Sequence, residues 1–205
     1  MVDLPVRRLV AALSLILLGG FIGWLGISGI AAGFDAGLLR VLSPRDGRWA
    51  LWFAAMRGLT EAASVLPRVI MILIAAGILV ARGRARAAAM LIVTCATGAL
   101  LVEAIKDVVQ RPRPLLLPHL DAVHSFSFPS AHASNATIVF GAIAILFAAP
   151  RHRLTALVTA GTVAFFTGVS RLVLAVHWPT DVLAGWCIGS GWLILCFALA
   201  RRRMI

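Results

Sequence analysis

Three short polar stretches interrupt an otherwise apolar chain: KDVVQRPRP (106–114), FPSAH (128–132) and SRLVLAVHWPTD (170–181). They hold the residue types that phosphoryl chemistry needs. Lys106, Arg113 and Arg171 are cations with no carboxylate close by in sequence, apart from Asp107 beside Lys106. A guanidinium is a planar fork that fits phosphate oxygens, and an ammonium is a compact point charge. Ser130 stands where a long apolar run begins. A helix N-terminus there would offer free backbone N–H groups and a positive dipole end to an anion. His132 and His177 supply titratable nitrogens, and Asp181 follows His177 by four residues with Pro179 placed to open a helix between them. One turn then brings the carboxylate to the imidazole, fixes its tautomer and leaves the other ring nitrogen free to attack. The second His remains to protonate the leaving oxygen. Cations that neutralise the transferring group make a metal or other cofactor unnecessary.

Each residue also has an ordinary structural use. A Lys or Arg at a helix end snorkels, an Asp before a helix caps it, and a loop His is solvated. The last reading applies to His119, His124 and His152. These uses do not explain why the polar stretches gather at one level of the chain's architecture.

That architecture follows from composition. The chain has 205 residues, of which 61% are hydrophobic, with a mean hydropathy of +0.98. A soluble domain of this size cannot hide so much apolar surface, so the bilayer is its solvent. The formal net charge of +11 is nearly all Arg. In a membrane protein such clusters report topology, and nucleic acid is not expected as a partner. Spanning helices need about 20 mostly apolar residues. Six runs qualify, at about 9–31, 66–81, 87–105, 133–149, 154–174 and 181–200. The first is too long for a signal-peptide core and is read as a retained helix.

With six spans, Arg7 and Arg8, then Arg82, Arg84 and Arg86, then Arg151 and Arg153, then Arg201 to Arg203 all fall on one side. Positive residues in short loops mark the cytoplasm, so both termini face inward. The three polar stretches and seven of the eight acidic residues fall on or near the outer side, Asp3 being the exception. In the first outer loop, Trp49, Trp52, Phe53 and Met56 have helical spacing, with Arg48 and Arg57 nearby. They predict an amphipathic interfacial helix serving as a membrane-anchoring cover, with substrate guidance as the alternative. Gly19, Gly23 and Gly26, and later Gly185 and Gly189, predict close helix approach. Cys95, Cys187 and Cys196 lie inside apolar runs and form no metal or disulfide pattern. The expected fold is thus an all-α, six-span polytopic bundle with one interfacial helix, built as a single domain over residues 1–205.

The three stretches resemble the type 2 phosphatidic acid phosphatase superfamily of membrane lipid phosphatases, whose pattern is K-x6-R-P, P-S-G-H and S-R-x5-H-x3-D. Lys106, Arg113 and Pro114 match the first element, Pro129, Ser130 and His132 the second, and Ser170, Arg171, His177 and Asp181 the third. The resemblance implies that His177 is the nucleophile forming a phosphohistidine and that Asp181 orients it. It implies that His132 protonates the leaving group and then activates water. Lys106, Arg113, Ser130 and Arg171 would hold the phosphate, together with the backbone of residue 131. Here residue 131 is Ala where the family usually has Gly. The substitution is harmless if residue 131 already lies in the first helical turn with negative φ. Spacing selects Arg113 over Arg111, which is expected to face lipid headgroups or else to add a second phosphate contact.

The implied function is hydrolysis of the terminal phosphate of a lipid phosphate or diphosphate at the outer leaflet. The setting is a bacterial inner membrane, with the site facing the periplasm or exterior. Alternatives are a lipid A phosphatase or phosphotransferase of the same family, and a non-catalytic lipid-phosphate binder or transporter that retains the pocket.

Overall fold

Each of the six apolar runs becomes one helix, within a few residues of the expected bounds. The structure, a computed structural model, describes residues 4–43 and 49–202. Its helices are α1 (Leu4–Ile27), α2 (Ala32–Leu42), α3 (Ala50–Ala62), α4 (Val65–Ala81), α5 (Ala85–Val109), α6 (Ala131–Phe147), α7 (Arg153–Val173) and α8 (Pro179–Arg202). A 3-10 turn at Pro150–His152 leads into α7. Among the described residues there is no strand.

Four helical stretches are long and apolar enough to cross a bilayer: Val6–Ile27, Ala85–Val109, Pro150–Val173 and Pro179–Ala200. A fifth span arises if Ala50–Ala62 and Val65–Ala81 are taken together, bent by 51° at their junction. Ala131–Phe147 is apolar but shorter. The segment between the first two apolar runs departs from expectation, because it holds two helices, α2 and α3. Trp49 is exposed before α3, but Met56 and Thr60 are buried where α3 packs on α7. Arg48 lies outside the described residues, as do Asp3 and the side chains of Arg201 to Arg203.

At the other end, Arg7 and Arg8 of α1 and Arg153 of α7 line one cleft with Phe197 of α8. Two of the Arg clusters therefore do share an end of the bundle.

α8 is the central helix, packing along α1 and α6, while α6 also packs on α7 and α5. Between membrane helices, close backbone approach replaces the hydrophobic driving force available in water. A Cβ on Gly189 would lie 2.6 Å from the Ser134 carbonyl oxygen, and one on Gly185 would lie 2.9 Å from that of Ser130. Glycine at these two positions thus seats α8 against the first turns of α6. Cys95 packs in an apolar cluster with Leu79, Leu91, Ile138 and Val139, and none of the three Cys is bridged.

Helix ends set the site. α5 stops at Gln110, which is left-handed at φ 49, and the following Arg111-Pro112-Arg113-Pro114 cannot continue a helix. α7 closes with Val176 N–H donating to the Arg171 carbonyl at 3.1 Å and Ala175 N–H to that of Leu172 at 2.9 Å. This Schellman pattern puts Ala175 at φ 57, a position usually held by Gly. The chain turns at once into His177 and then into α8.

Candidate active site

Four segments meet at one end of the bundle: the last turn of α5 with the stretch after it, the residues leading into α6, the last turn of α7, and the α7–α8 turn. Lys106 is buried on α5, and its Nζ donates to the Phe126 carbonyl at 2.5 Å and to Ser125 Oγ at 3.3 Å. Arg113 reaches the same two residues, donating from Nε to the Ser125 carbonyl at 2.8 Å and from Nη2 to that of Phe126 at 3.3 Å. Its Nη1 donates to the Val176 carbonyl at 2.6 Å and lies 3.2 Å from His177 Nε2.

His177 is 1% exposed. Its Nδ1 lies 3.4 Å from Ser127 Oγ and 3.6 Å from Asp181 Oδ2. Ser127 Oγ in turn donates to Asp181 Oδ2 at 2.5 Å. Because the single Ser127 proton goes to Asp181, its oxygen is left as an acceptor for a proton on His177 Nδ1. The arrangement therefore favours the tautomer with its lone pair on Nε2. Asp181 Oδ2 also accepts from Trp178 N–H at 2.9 Å, so the carboxylate reaches back to cap α8. The capping role and a role beside His177 are not exclusive, since one carboxylate does both.

Arg171 ends α7, with Nη1 donating to Thr60 Oγ1 of α3 at 2.6 Å and to Asp121 Oδ2 at 2.7 Å. Arg171 has no carboxylate close by in sequence, and the loop after α5 folds back to supply Asp121. Asp107, the neighbour anticipated for Lys106, is exposed. Ser130 is the N-cap of α6, and its N–H donates to the Asp181 carbonyl at 3.1 Å. Ala131 opens α6 without a positive φ, as expected for a first-turn residue.

Ser130 Oγ and Arg171 Nε are two of the three buried side-chain polar atoms without a hydrogen-bond partner among the described residues. His132, in the first turn of α6, is half-buried.

Burial, and then the positive charges of Arg113, Arg171 and Lys106, push the His177 imidazole well below its ordinary pKa. It is therefore neutral at physiological pH, the form a nucleophile needs. Burial and Arg171 bring Arg113 down to about 10, so it keeps its charge there.

Arg111, expected to face headgroups or to add a phosphate contact, turns inward instead of facing headgroups. It is 8% exposed and pairs with Asp35 at 2.8 Å and Asp181 at 2.5 Å. Ser127, Thr60, Asp121, Asp35 and Thr180 were not singled out by sequence reasoning. Thr180 lies inside the polar stretch 170–181, and Asp35 stands out as an ionisable residue inside an apolar stretch.

A family model described as the PAP2 superfamily matches residues 87–205. The chain is 35% identical over 119 residues to phosphatidylglycerophosphatase B of Bacillus subtilis (strain 168), covering 55% of each protein. It is 32% identical over 125 residues to a lipid A 1-phosphatase of Rhizobium etli, covering 56% of this chain and 50% of the relative. The matched region thus spans about half the length of these curated relatives. The structural match is more extensive. A crystal structure of a transmembrane PAP2-type phosphatidylglycerolphosphate phosphatase from Bacillus subtilis aligns with a TM-score of 0.84 at 26% identity. It covers 93% of this chain and 96% of that one. With the family pattern, the fold and these relatives in agreement, the chain belongs to the PAP2 superfamily of membrane phosphatases.

Proposed function

We propose that residues 1–205 form a single-domain enzyme that hydrolyses the terminal phosphate of a lipid phosphate or diphosphate at the outer leaflet, through a phosphohistidine on His177. The observation behind this reading is the two-sided environment of His177. Its Nδ1 faces Ser127 and Asp181, and its Nε2 lies 3.2 Å from Arg113, a cation of the kind that binds phosphate. Nε2 attacks phosphorus as the bond to the leaving oxygen of the lipid or lipid monophosphate breaks, and His132, entering the step as the imidazolium, gives that oxygen its proton. A water then gives a proton to His132 and attacks the phosphohistidine, releasing inorganic phosphate and regenerating both rings. Lys106, Arg113, Arg171, Ser130 and the N-terminus of α6 at Ala131 hold the phosphoryl oxygens. Cationic side chains supply the charge neutralisation that a metal gives other phosphatases, so no metal is invoked.

The six-span arrangement uses α1, α4, α5, α6, α7 and α8, with α2 and α3 as outer elements. At 1.5 Å per residue the 17 residues of α6 extend for about 26 Å, near the roughly 30 Å of a hydrocarbon core. The Arg clusters then lie in the cytoplasm and the site faces the exterior of a bacterial inner membrane. Relatives named for phosphatidylglycerophosphate and lipid A support a lipid phosphate as substrate.

The test is phosphate release by purified protein from phosphatidic acid, phosphatidylglycerophosphate, undecaprenyl diphosphate and lipid A, with and without EDTA. Release from at least one substrate, unchanged by EDTA, is expected. No release from any of them favours the non-catalytic binder, and loss of activity with EDTA removes the metal-free mechanism.

A further inference from the structure

Behind Asp181, on the side away from His177, lies a buried polar assembly that the proposed chemistry does not use. Arg111 Nη1 donates to Asp181 Oδ1 at 2.5 Å and to Thr180 Oγ1 at 2.8 Å. Its Nη2 donates to Asp35 Oδ2 at 2.8 Å and to the Gly26 carbonyl at 2.9 Å. Asp35 closes the loop by accepting from Thr180 N–H at 2.9 Å and from Thr180 Oγ1 at 2.8 Å. The guanidinium also sits 5.6 Å from the Trp178 ring centre. Asp35, Thr180 and Asp181 are each at most 3% exposed.

Gly26 belongs to this assembly. A Cβ there would run into Thr180 Oγ1 and both terminal nitrogens of Arg111. The end of α1, the first turn of α2, the stretch after α5 and the start of α8 are thus joined through one side chain.

We propose that Arg111 and Asp35 are positioning residues for the reaction: Asp35 fixes the guanidinium, and the guanidinium fixes the plane of the Asp181 carboxylate. The proposal rests on the reading of His177 and Asp181 given above. Ser127 and Trp178 N–H hold Oδ2, but without a partner on Oδ1 the carboxylate plane can still tilt about its Cβ–Cγ axis. With Oδ1 held by Arg111, Oδ2 stays with Ser127 and the His177 Nδ1 edge. A planar fork with two occupied prongs is needed for this, and the compact ammonium of Lys, whose donors are not held in a fork, cannot replace it. Three buried charges in contact also couple strongly, so their effects should not add. Neither residue is expected to touch substrate, which separates this role from phosphate binding.

The experiment measures kcat, KM and the inhibition constant of inorganic vanadate, on a lipid phosphate that wild type turns over, in detergent. The variants are Arg111→Lys, Asp35→Asn, Asp181→Asn and the double variant Arg111→Lys/Asp181→Asn. Expected for Arg111→Lys is a fall in kcat of about tenfold or more, with KM and vanadate inhibition within about twofold of wild type. Asp35→Asn should follow in the same direction, and the double variant should be no slower than Asp181→Asn alone. Retained vanadate binding shows that the site is folded. If Arg111→Lys does not fold, the same comparison between Asp35→Asn and Asp181→Asn decides the matter. A vanadate constant that weakens in step with KM makes Arg111 a phosphate contact and overturns the proposal. So does wild-type kcat in Arg111→Lys or Asp35→Asn while Asp181→Asn is slow. Wild-type kcat in Asp181→Asn itself would overturn the underlying reading of the His–Asp pair instead.

Discussion

Asp181 Oδ2 and His177 Nδ1 stand 3.6 Å apart, with Ser127 Oγ lodged against both at 2.5 and 3.4 Å. The direct distance exceeds a good hydrogen bond, so the serine is the nearer link between carboxylate and imidazole. Ser127→Ala removes that link without adding bulk. Its kcat should fall about tenfold, less than that of Asp181→Asn, with KM nearly unchanged. Steady-state kinetics on the three proteins check the ranking; an unaffected kcat would show that Asp181 reaches His177 without help.

Ala131 tests the helix-start reading of the α6 junction. It has no positive φ to relieve, so Ala131→Gly should leave kcat within a few-fold while costing up to about 1 kcal/mol of helix stability. Kinetics and a thermal scan report the two effects separately. A gain of roughly tenfold, worth about 1.4 kcal/mol of barrier, would mean that the native backbone there is strained.

Gly26→Ala probes the buried assembly from the side of α1. The new methyl group would displace Thr180 and the Arg111 guanidinium, and overpacking of this kind costs about 1–3 kcal/mol. The expected outcome is a lower melting temperature together with a reduced kcat. Gly20→Ala on the same helix, where a Cβ meets nothing within 4 Å, is the control: it should leave kcat unchanged and should not lower the melting temperature.

Acid should weaken the fold through His177. Its folded-state pKa is depressed by burial and by Arg113, Arg171 and Lys106, whereas the unfolded imidazole titrates near 6.5. Below that value the unfolded state takes up the proton and the native state resists it, so stability present above about pH 6.5 is lost as pH falls. The loss approaches about 1.4 kcal/mol per pH unit. Melting temperatures at pH 7.5 and 5.5 should differ more for wild type than for His177→Gln. Equal differences would mean that His177 is not held neutral.

What the sequence revealed and what it hid follow a physical division. A bilayer forces every apolar run into a helix with its own hydrogen bonds, so the runs located α1 and α4 to α8 closely. Lys106, Arg113, His177 and Asp181 stood out because polar groups at helix ends in such a chain need a reason. Pairing across the bundle leaves no periodic trace. Arg111 and Asp35 are 76 residues apart, and a string of letters does not say that they meet. Gly26 was legible as a small residue for close packing, but what it accommodates is a guanidinium. The helix pair in the first outer loop was read as one helix, and nothing local in it announces that Thr60 will hold Arg171.

Topology is open to a labelling test. In a protein with Cys95, Cys187 and Cys196 replaced, Ala122→Cys should react with an impermeant maleimide in intact cells, and Arg84→Cys should react only after lysis. Both positions are exposed. The reverse pattern would place the site in the cytoplasm and change the pool of lipids it meets.

The most direct measurement is an acid-free quench of the enzyme with a lipid phosphate labelled in its terminal phosphorus, followed by peptide mapping. Expected is an acid-labile, alkali-stable label on the peptide containing His177, absent from His177→Ala, which should have no measurable turnover. Near-normal phosphate release by folded His177→Ala, or a label carried by another residue, would contradict the phosphohistidine mechanism.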